Sequence, residues 1–220
     1  MRRLVAALVV SLLLFVAGAV FWLYSASQCV PEFYSAALVM QPDVADRAGD
    51  AFSAGALALA GEARKTGAWS AVFDQDQING WLAVDLREKH PELLPPECSD
   101  PRVRLLEDRA QVGMRMKIGG VTTVAWLDLE VRMTAGHETA LRFRDVRAGD
   151  VPLPPGQILD AVSRVADELD VTLRWSTIDG DPTAIIGLPP LGKNGLRYEL
   201  TKLKLSVGSL FVAGETRRDD

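Results

Sequence analysis

The residues of this sequence that could do chemistry are few, and their spacing matches no common catalytic or metal-binding motif. The two histidines, His90 and His137, lie far apart, and neither has cysteines or carboxylates at the spacing of a metal site. Ser163 and Ser206 lack the Gly-x-Ser-x-Gly context of a hydrolase nucleophile. We therefore predict a protein that binds rather than catalyses: not an enzyme, with no metal and no cofactor.

The two cysteines leave two interpretations open. Cys29 follows a long apolar stretch and Cys98 lies in a proline-rich loop. In an oxidising compartment this pair could form a disulfide, and the alternative is two free thiols. Lipidation of Cys29 is not favoured, because Gln28 stands where a small residue is expected.

One stretch near the N-terminus predicts where the protein is located. Leu4–Tyr24 contains no charged residue, and as a helix it would be about 30 Å long, the thickness of a hydrocarbon core. This length favours a retained, single-pass signal anchor over a cleaved signal peptide, although Ser25 and Ser27 mark a plausible cleavage site. Because Arg2 and Arg3 precede it, we predict a cytoplasmic N-terminus and a domain that is extracytoplasmic, either periplasmic or on the cell surface.

Length and charge limit the number of domains and the kinds of partner that we predict. The 220 residues suffice for one domain with a real core, and the formal net charge of −5 argues against nucleic acid as a partner. We divide the sequence into the membrane anchor (1–27), a juxtamembrane helical segment (28–73), an extracytoplasmic domain (74–214) and a polar tail (215–220).

Two helices are predicted before the sheet. Small apolar residues recur at helical spacing from Asp43 to Lys65. Asp74 is a preferred N-cap, and Gln77 three residues later completes a capping box, so a second helix begins there. Its apolar stripe favours packing on a sheet over a ligand-contacting role for Asn79 and Trp81.

From Pro101 the apolar period changes from 3.6 to 2, which predicts an antiparallel meander with one apolar and one charged face. An amphipathic helix, Ile158–Leu169, follows, and strands resume from Val171. Near Gly208 the alternating apolar residues change from odd to even positions, and this slip in parity predicts a bulge or a tight turn. The predicted fold class is α+β: a transmembrane helix, then one curved, mainly antiparallel sheet packed on one or two helices.

The order of elements from about Asp74 to Gly214 resembles a known group of proteins. With its short, acidic-capped helix containing Ile78 and Asn79 before a strand meander, it is similar to extracytoplasmic proteins of the YpmS-like kind. It resembles the tubular lipid-binding and AsmA-like domains more distantly. In these families a curved antiparallel sheet wraps a long helix and leaves an apolar groove. The resemblance implies handling of a lipid or an envelope polymer, and it carries over no catalytic residue.

Two functions follow from these patterns. The first is a binding module whose apolar sheet face curls around helix 158–169 and accepts a lipid or an acyl chain. The candidate groove residues are Trp81, Met114, Met116, Leu127, Leu129, Phe143, Val162 and Trp175. The alternative interpretation of this face is a packed core.

The second function is a structural or assembly protein of the cell envelope. Such a protein would bind another protein through an exposed sheet edge or through its charged face. The charged-face residues are Arg115, Lys117, Asp128, Glu130, Arg132, Arg142 and Arg144. The alternative interpretation of these residues is an ordinary solvated surface.

Overall fold

Strands make up most of the regular structure. The computed structural model describes residues 2–118, 120–154, 156–168, 171–187 and 195–218. The helices are α1 (Arg2–Ser27), α2 (Glu32–Leu38), α3 (Pro42–Ala63), α4 (Gln75–Ala83), α5 (Asp85–Lys89) and α6 (Gly156–Glu168), with a short 3-10 helix at Pro91–Leu93. The strands are β1 (Gly67–Asp74), β2 (Cys98–Leu106), β3 (Arg109–Ile118), β4 (Val121–Met133), β5 (Thr139–Ala148), β6 (Val151–Pro152), β7 (Thr172–Ile178), β8 (Asp181–Gly187), β9 (Leu196–Ser206) and β10 (Ser209–Arg218).

The strands form two antiparallel sheets, not the one sheet that the sequence predicts. The larger sheet has the order β2-β3-β4-β5-β8-β7, with β6 paired to β5, and the smaller has the order β1-β10-β9. The smaller sheet was missed because the sequence of β1 hides its alternation: Trp69 and Phe73 are buried, but the exposed position just before Phe73 holds the apolar Val72. β1 pairs with β10 along its whole length, from Gly67 opposite Thr216 onward.

The polar tail is shorter than predicted, because β10 continues to Arg218. Thr216 explains why this polar segment is ordered. Its buried hydroxyl donates a hydrogen bond to the carbonyl oxygen of Ala63 at the end of α3 (2.7 Å) and accepts one from the indole nitrogen of Trp69 (3.0 Å). Residues 215–218 therefore belong to the smaller sheet.

The predicted slip in parity is caused by a tight turn. Gly208 adopts φ 77° in the turn between β9 and β10, a conformation that favours glycine, and the turn places Leu210 opposite Leu205. Farther along β10, the register of the two strands shifts between Ala213 and Gly214. Gly214 leaves room for the ring of Trp69, an atom of which would lie 2.1 Å from any Cβ built there.

The first helix corrects the prediction of a membrane anchor. Helix α1 spans Arg2–Ser27, and its side chains are described from Phe15 onward. In the part of the chain that the structure describes, no helix is long and apolar enough to cross a membrane. This finding contradicts the predicted transmembrane helix. The predicted fold class, which begins with a transmembrane helix, is therefore wrong. The predicted single-pass signal anchor, and the location of the protein derived from that anchor, are wrong for the same reason.

The C-terminal end of α1 is fixed to the larger sheet. The last carbonyl groups of a helix have no partner within it. Here the oxygen of Ala26 accepts a hydrogen bond from the backbone N–H of Asp150 (2.9 Å), and that of Ser27 accepts one from the hydroxyl of Thr123 (2.5 Å). Gly149, at φ 57°, permits this approach, because a Cβ there would lie 2.4 Å from the oxygen of Ala26.

Helix α4 begins with the capping box that the sequence predicts, and it then closes one edge of the larger sheet. The Asp74 N–H donates to the side-chain oxygen of Gln77 (3.1 Å), and the reciprocal bond is also present. The buried amide of Asn79 donates to and accepts from the backbone of Val103 in edge strand β2, at 2.8 Å each. The amide of Gln75 accepts from the N–H of Leu105 (2.8 Å). These amides take the place of a neighbouring strand.

Helix α3 crosses α4 at two glycines. A Cβ on Gly80 would lie 2.5 Å from the carbonyl oxygen of Ala45 and 2.7 Å from the N–H nitrogen of Gly49. A Cβ on Gly49 would in turn lie 3.2 Å from the carbonyl carbon of Gly80. The small residues that recur along α3 therefore permit backbone contact with α4.

We predict that Gly80→Ala destabilises the protein although alanine is the better helix former. Steric overlap with backbone atoms should outweigh the helix propensity gain of about 1 kcal/mol and leave a net loss of ~1–3 kcal/mol in the free energy of unfolding. Gly61→Ala, also in a helix but with nothing within 4 Å of the added carbon, should stabilise by up to about 1 kcal/mol. Urea unfolding measures both. Equal effects would contradict the close crossing of α3 and α4.

Candidate functional site

Part of the apolar face of the larger sheet is packed as core. Phe143, Val146 and Ala184 are buried there, and Leu159 and Val162 of α6 pack against them. The other members of this cluster are Leu127, Leu129, Leu141, Leu153 and Leu173. The predicted helix reached Leu169, which lies outside the described residues. Beneath α6, the packed-core interpretation of this face is correct.

Beside this core, the same sheet face borders an apolar cavity of about 270 Å³. Met114 of β3 lies opposite Ala125 of β4, and Val112 lies opposite Leu127, so all four residues share one face. The remaining wall comes from α6 and from the segment that precedes β2. The lining residues are Leu93, Leu94, Pro95, Cys98, Val112, Met114, Met116, Ala125, Trp126, Leu127 and Val162.

The segment before β2 borders the cavity because its prolines keep it out of the sheet. Pro91 begins a 3-10 turn, in which the N–H of Leu94 donates to the oxygen of Pro91 (3.2 Å). A proline has no N–H for a strand ladder, so the chain stays irregular until Cys98, whose N–H donates to the oxygen of Pro95 (2.8 Å). Leu93 and Leu94 are thereby placed at the wall of the cavity.

The structure brings together half of the predicted groove residues. Met114, Met116, Leu127 and Val162 line the cavity. Leu129 and Phe143 lie in the packed core.

Trp175 lies outside the cavity and is 38% exposed, so it is not the fully buried ring that its strand pattern suggests. Its ring packs on Phe143 at 5.7 Å between centroids. Its indole nitrogen donates to the hydroxyl of Ser163 (2.9 Å), and that hydroxyl donates to the oxygen of Leu159 (2.9 Å). Ser163 is therefore engaged in structural hydrogen bonds.

Trp81 belongs to a different part of the molecule. It lies on α4, with its ring 5.6 Å from that of Phe52 on α3 and 6.0 Å from that of His90. Ile78 and Leu82 of the helical stripe pack on the sheet residues Val103 and Leu105, as the favoured interpretation predicted. Trp81 instead packs α4 against α3. Trp81 does not line the cavity of Met114 and Met116.

Several lining residues were missed by the sequence analysis. Val112 alternates with Met114 and could have been included on the same signal, but Ala125 becomes part of the site only through its pairing with Met114. Leu93 and Leu94 carry no periodicity. Their only sequence signal is an apolar pair enclosed by prolines in a region without its own strand or helix.

Both cysteines are free thiols in the structure. Cys98 lines the cavity, where burial, followed by the charge of Glu97, raises the pKa of its thiol. Cys29 is exposed near the end of α1, where a hydrogen bond with Asp150 raises the pKa of its thiol. The pKa of neither thiol is lowered, as it would be in an activated cysteine nucleophile.

The remaining chemistry-bearing residues form structural contacts. His137, in the turn between β4 and β5, lies 3.2 Å from the oxygen of Leu200 and 3.4 Å from the carboxylate of Glu199, both on β9. It thus joins the two sheets. Among the residues that the structure describes, no three His, Cys, Asp or Glu side chains gather as potential metal ligands.

The other face of the larger sheet is charged, but part of it is covered. Tyr34 of α2 is fully buried against Gly113, where an added Cβ would lie 2.9 Å from the tyrosine ring. Glu130 is buried and pairs with Arg132 and, at 3.2 Å, with Arg144. These charges are largely neutralised within the sheet.

Two further grooves lie elsewhere on the molecule. A groove of about 690 Å³ between α2 and α4 has a mixed lining, and its amides Gln75 and Asn79 are already bonded to β2. A second apolar groove, of about 470 Å³, lies between α3 and the smaller sheet, bordered by residues such as Leu59 and Val212. Any ligand-binding experiment must therefore locate the ligand as well as detect it.

Comparison of the chain with protein-family models, with curated proteins and with solved structures finds no match.

We predict that Cys98 is alkylated slowly and only at raised pH. The thiolate is the reactive form, and a raised pKa lowers its fraction at any given pH. In the Cys29→Ser variant, iodoacetamide should react about tenfold more slowly at pH 8 with the folded protein than with the same variant in urea. The Cys98→Ser variant, which reports on exposed Cys29, should show a smaller difference. Equal rates for folded and unfolded Cys98 would contradict the placement of this thiol.

Proposed function

We propose that this protein binds a lipid or an acyl chain in the cavity beside Met114 and Met116. One observation carries the proposal: an apolar cavity of about 270 Å³ on a sheet face, partly open to solvent. Concave, mostly apolar clefts are the usual sites of small-molecule ligands. A bound chain would remove the apolar wall of this cavity from water, which stabilises by ~25 cal/mol per Å² buried.

The chemistry of the wall supports an acyl chain in particular. Among the described residues, no charged side chain lines the cavity, and each methylene moved from water into such surroundings gains ~0.8 kcal/mol. Met114 and Met116 are flexible and adapt to irregular chains. The resemblance of the element order to YpmS-like and tubular lipid-binding proteins agrees with this class of ligand.

Binding of 1-decanol to the purified, delipidated protein tests the proposal. Titration calorimetry should give one equivalent, and the bound alcohol should slow iodoacetamide alkylation of Cys98 several-fold because this thiol lines the cavity. Ala125→Leu adds three carbons to the wall and should weaken binding about tenfold or more. Ala58→Leu, at an exposed position of α3, is the matched control.

Two results would contradict this function. One is the absence of binding up to the solubility limit of decanol. The other is binding that leaves the alkylation rate of Cys98 unchanged, which would place the alcohol elsewhere, for instance in the groove between α3 and the smaller sheet. Circular dichroism and urea unfolding of Ala125→Leu show that a loss of binding is not a loss of fold.

A second candidate function, assembly by strand addition, is favoured by the open edge of β7. At the opposite edge, β2 is closed by the amides of Gln75 and Asn79. Along β7, six of the seven side chains are exposed, and no backbone group of the described residues bonds to its outer edge. The strand has one charged residue, Arg174, which already pairs with Glu138 (2.7 Å). A second copy could therefore pair antiparallel without opposing unpaired charges.

We predict that Thr177→Pro abolishes such assembly. Ile178 and Asp181 flank a two-residue hairpin turn, so the backbone of Ile178 bonds to β8. Bonded and non-bonded residues alternate along an antiparallel pair, and the N–H of the next residue, Thr177, therefore points to the open edge. Sedimentation velocity should show a concentration-dependent dimer of the native chain and only a monomer of the variant. Thr177→Val, which keeps the N–H, should still dimerise. A native chain that stays monomeric at all concentrations would exclude self-pairing through β7.

A further inference from the structure

We infer that the ligand of the cavity is a single-chain amphiphile with an anionic headgroup, whose chain lies against Met116 and whose headgroup lies at Arg115 and Lys117. The inference rests on the proposed function. It adds the number of chains and the sign of the headgroup.

The size of the cavity suits one chain. Its volume of about 270 Å³ is just below the roughly 300–1,000 Å³ of pockets that hold drug-sized ligands. We therefore infer one short chain rather than the two chains of a diacyl lipid.

A second, polar cleft adjoins the cavity where the headgroup would emerge. It has a volume of about 200 Å³ and shares Cys98 and Met116 with the apolar cavity. The cleft lies next to the end of β3, so residues from both faces of the strand border it. The other lining residues are Pro96, Glu97, Ser99, Arg115, Lys117 and Thr122.

The charges of this cleft favour an anion. Arg115 and Lys117 face one carboxylate in the lining, that of Glu97. Arg115 pairs with Asp100 at 3.3 Å, yet its side chain is half exposed and keeps donors for a ligand. Among the described side chains, no carboxylate lies within ion-pair distance of the ammonium of Lys117, which makes this residue the main headgroup contact.

The backbone holds Lys117 in place. Its N–H donates to the oxygen of Glu97 (2.9 Å), and it lies opposite Thr122 of β4. Adjacent residues of a strand project to opposite faces, so Lys117 and Met116 border the same cleft only because it lies at the end of β3, beyond the pairing of Met116 with Cys98. Met116 lines both the cavity and the cleft, so the polar end of a chain bound along it lies in the cleft that Lys117 borders.

Four probes with the same ten-carbon chain separate the contribution of the headgroup to affinity from that of the chain. They are decanoate, decyl phosphate, 1-decanol and decyltrimethylammonium. At pH 8, titration calorimetry should show the two anions binding at least about tenfold more tightly than decanol, and the cation more weakly than decanol. Lys117→Gln should remove most of the anion preference and leave decanol affinity unchanged. Lys65→Gln, which removes an exposed cation at the end of α3, should change neither. Comparison of decanoate with decyl phosphate shows whether a carboxylate or a phosphate is preferred.

The outcomes distinguish this inference from the proposed function. If decanol and the anions bind equally to the native protein, or if Lys117→Gln leaves the anion preference unchanged, the headgroup assignment is overturned and the apolar site stands. If dioctanoyl phosphatidate binds as tightly as decanoate, the single-chain assignment is overturned. If none of the probes slows alkylation of Cys98, the proposed function itself fails.

Discussion

The central constraint on the structure is that one short helix cannot cover the whole apolar face of a wide sheet. Helix α6 has 13 residues and is about 20 Å long, whereas the apolar face that it packs on belongs to a sheet six strands wide. It buries the face around Phe143 and Ala184. The face around Met114 and Met116 is left to the irregular segment before β2, and the cavity lies between them. An apolar surface that secondary structure does not cover is a natural site for an apolar ligand.

The irregular segment before β2, which borders the cavity, is fixed by contacts on both sides of it in the chain. Upstream, α4 is locked to α3 by the contact between Gly49 and Gly80 and to β2 by the amide of Asn79. Downstream, the oxygen of Glu97 accepts the N–H of Lys117, which begins the pairing of β2 with β3. Leu93 and Leu94 are therefore positioned by contacts that lie outside the cavity. The same helical layer therefore closes the edge of the larger sheet and positions part of the cavity wall.

Local patterns predicted local structure well and the site only in part. The period of two along β3 identified Met114 and Met116, and the spacing of Asp74 and Gln77 identified the start of α4, because backbone geometry alone sets these periods. The second sheet was not predictable in this way, since β1 and the end of β10 depend on each other and on buried Thr216.

The failures have a common physical origin. An apolar residue at regular spacing shows that it faces something, but not what it faces. Trp81 faces α3, and Trp175 faces Phe143 while remaining partly exposed. The apolar run at the N-terminus likewise suggested a membrane anchor, which the described helices do not support. Leu93 and Leu94 were missed for the opposite reason, because an irregular segment has no period.

The methionines offer the most direct test of an occupied cavity. Met114 and Met116 line it, whereas Met40 and Met133 lie elsewhere in the chain and serve as internal controls. In a methyl-¹³C-methionine NMR titration with decanoate, we predict saturable shifts and intermolecular NOEs at Met114 and Met116 and none at the other two. Shifts confined to Met40 or Met133, or no intermolecular NOE at Met114 and Met116, would contradict the acyl-binding account.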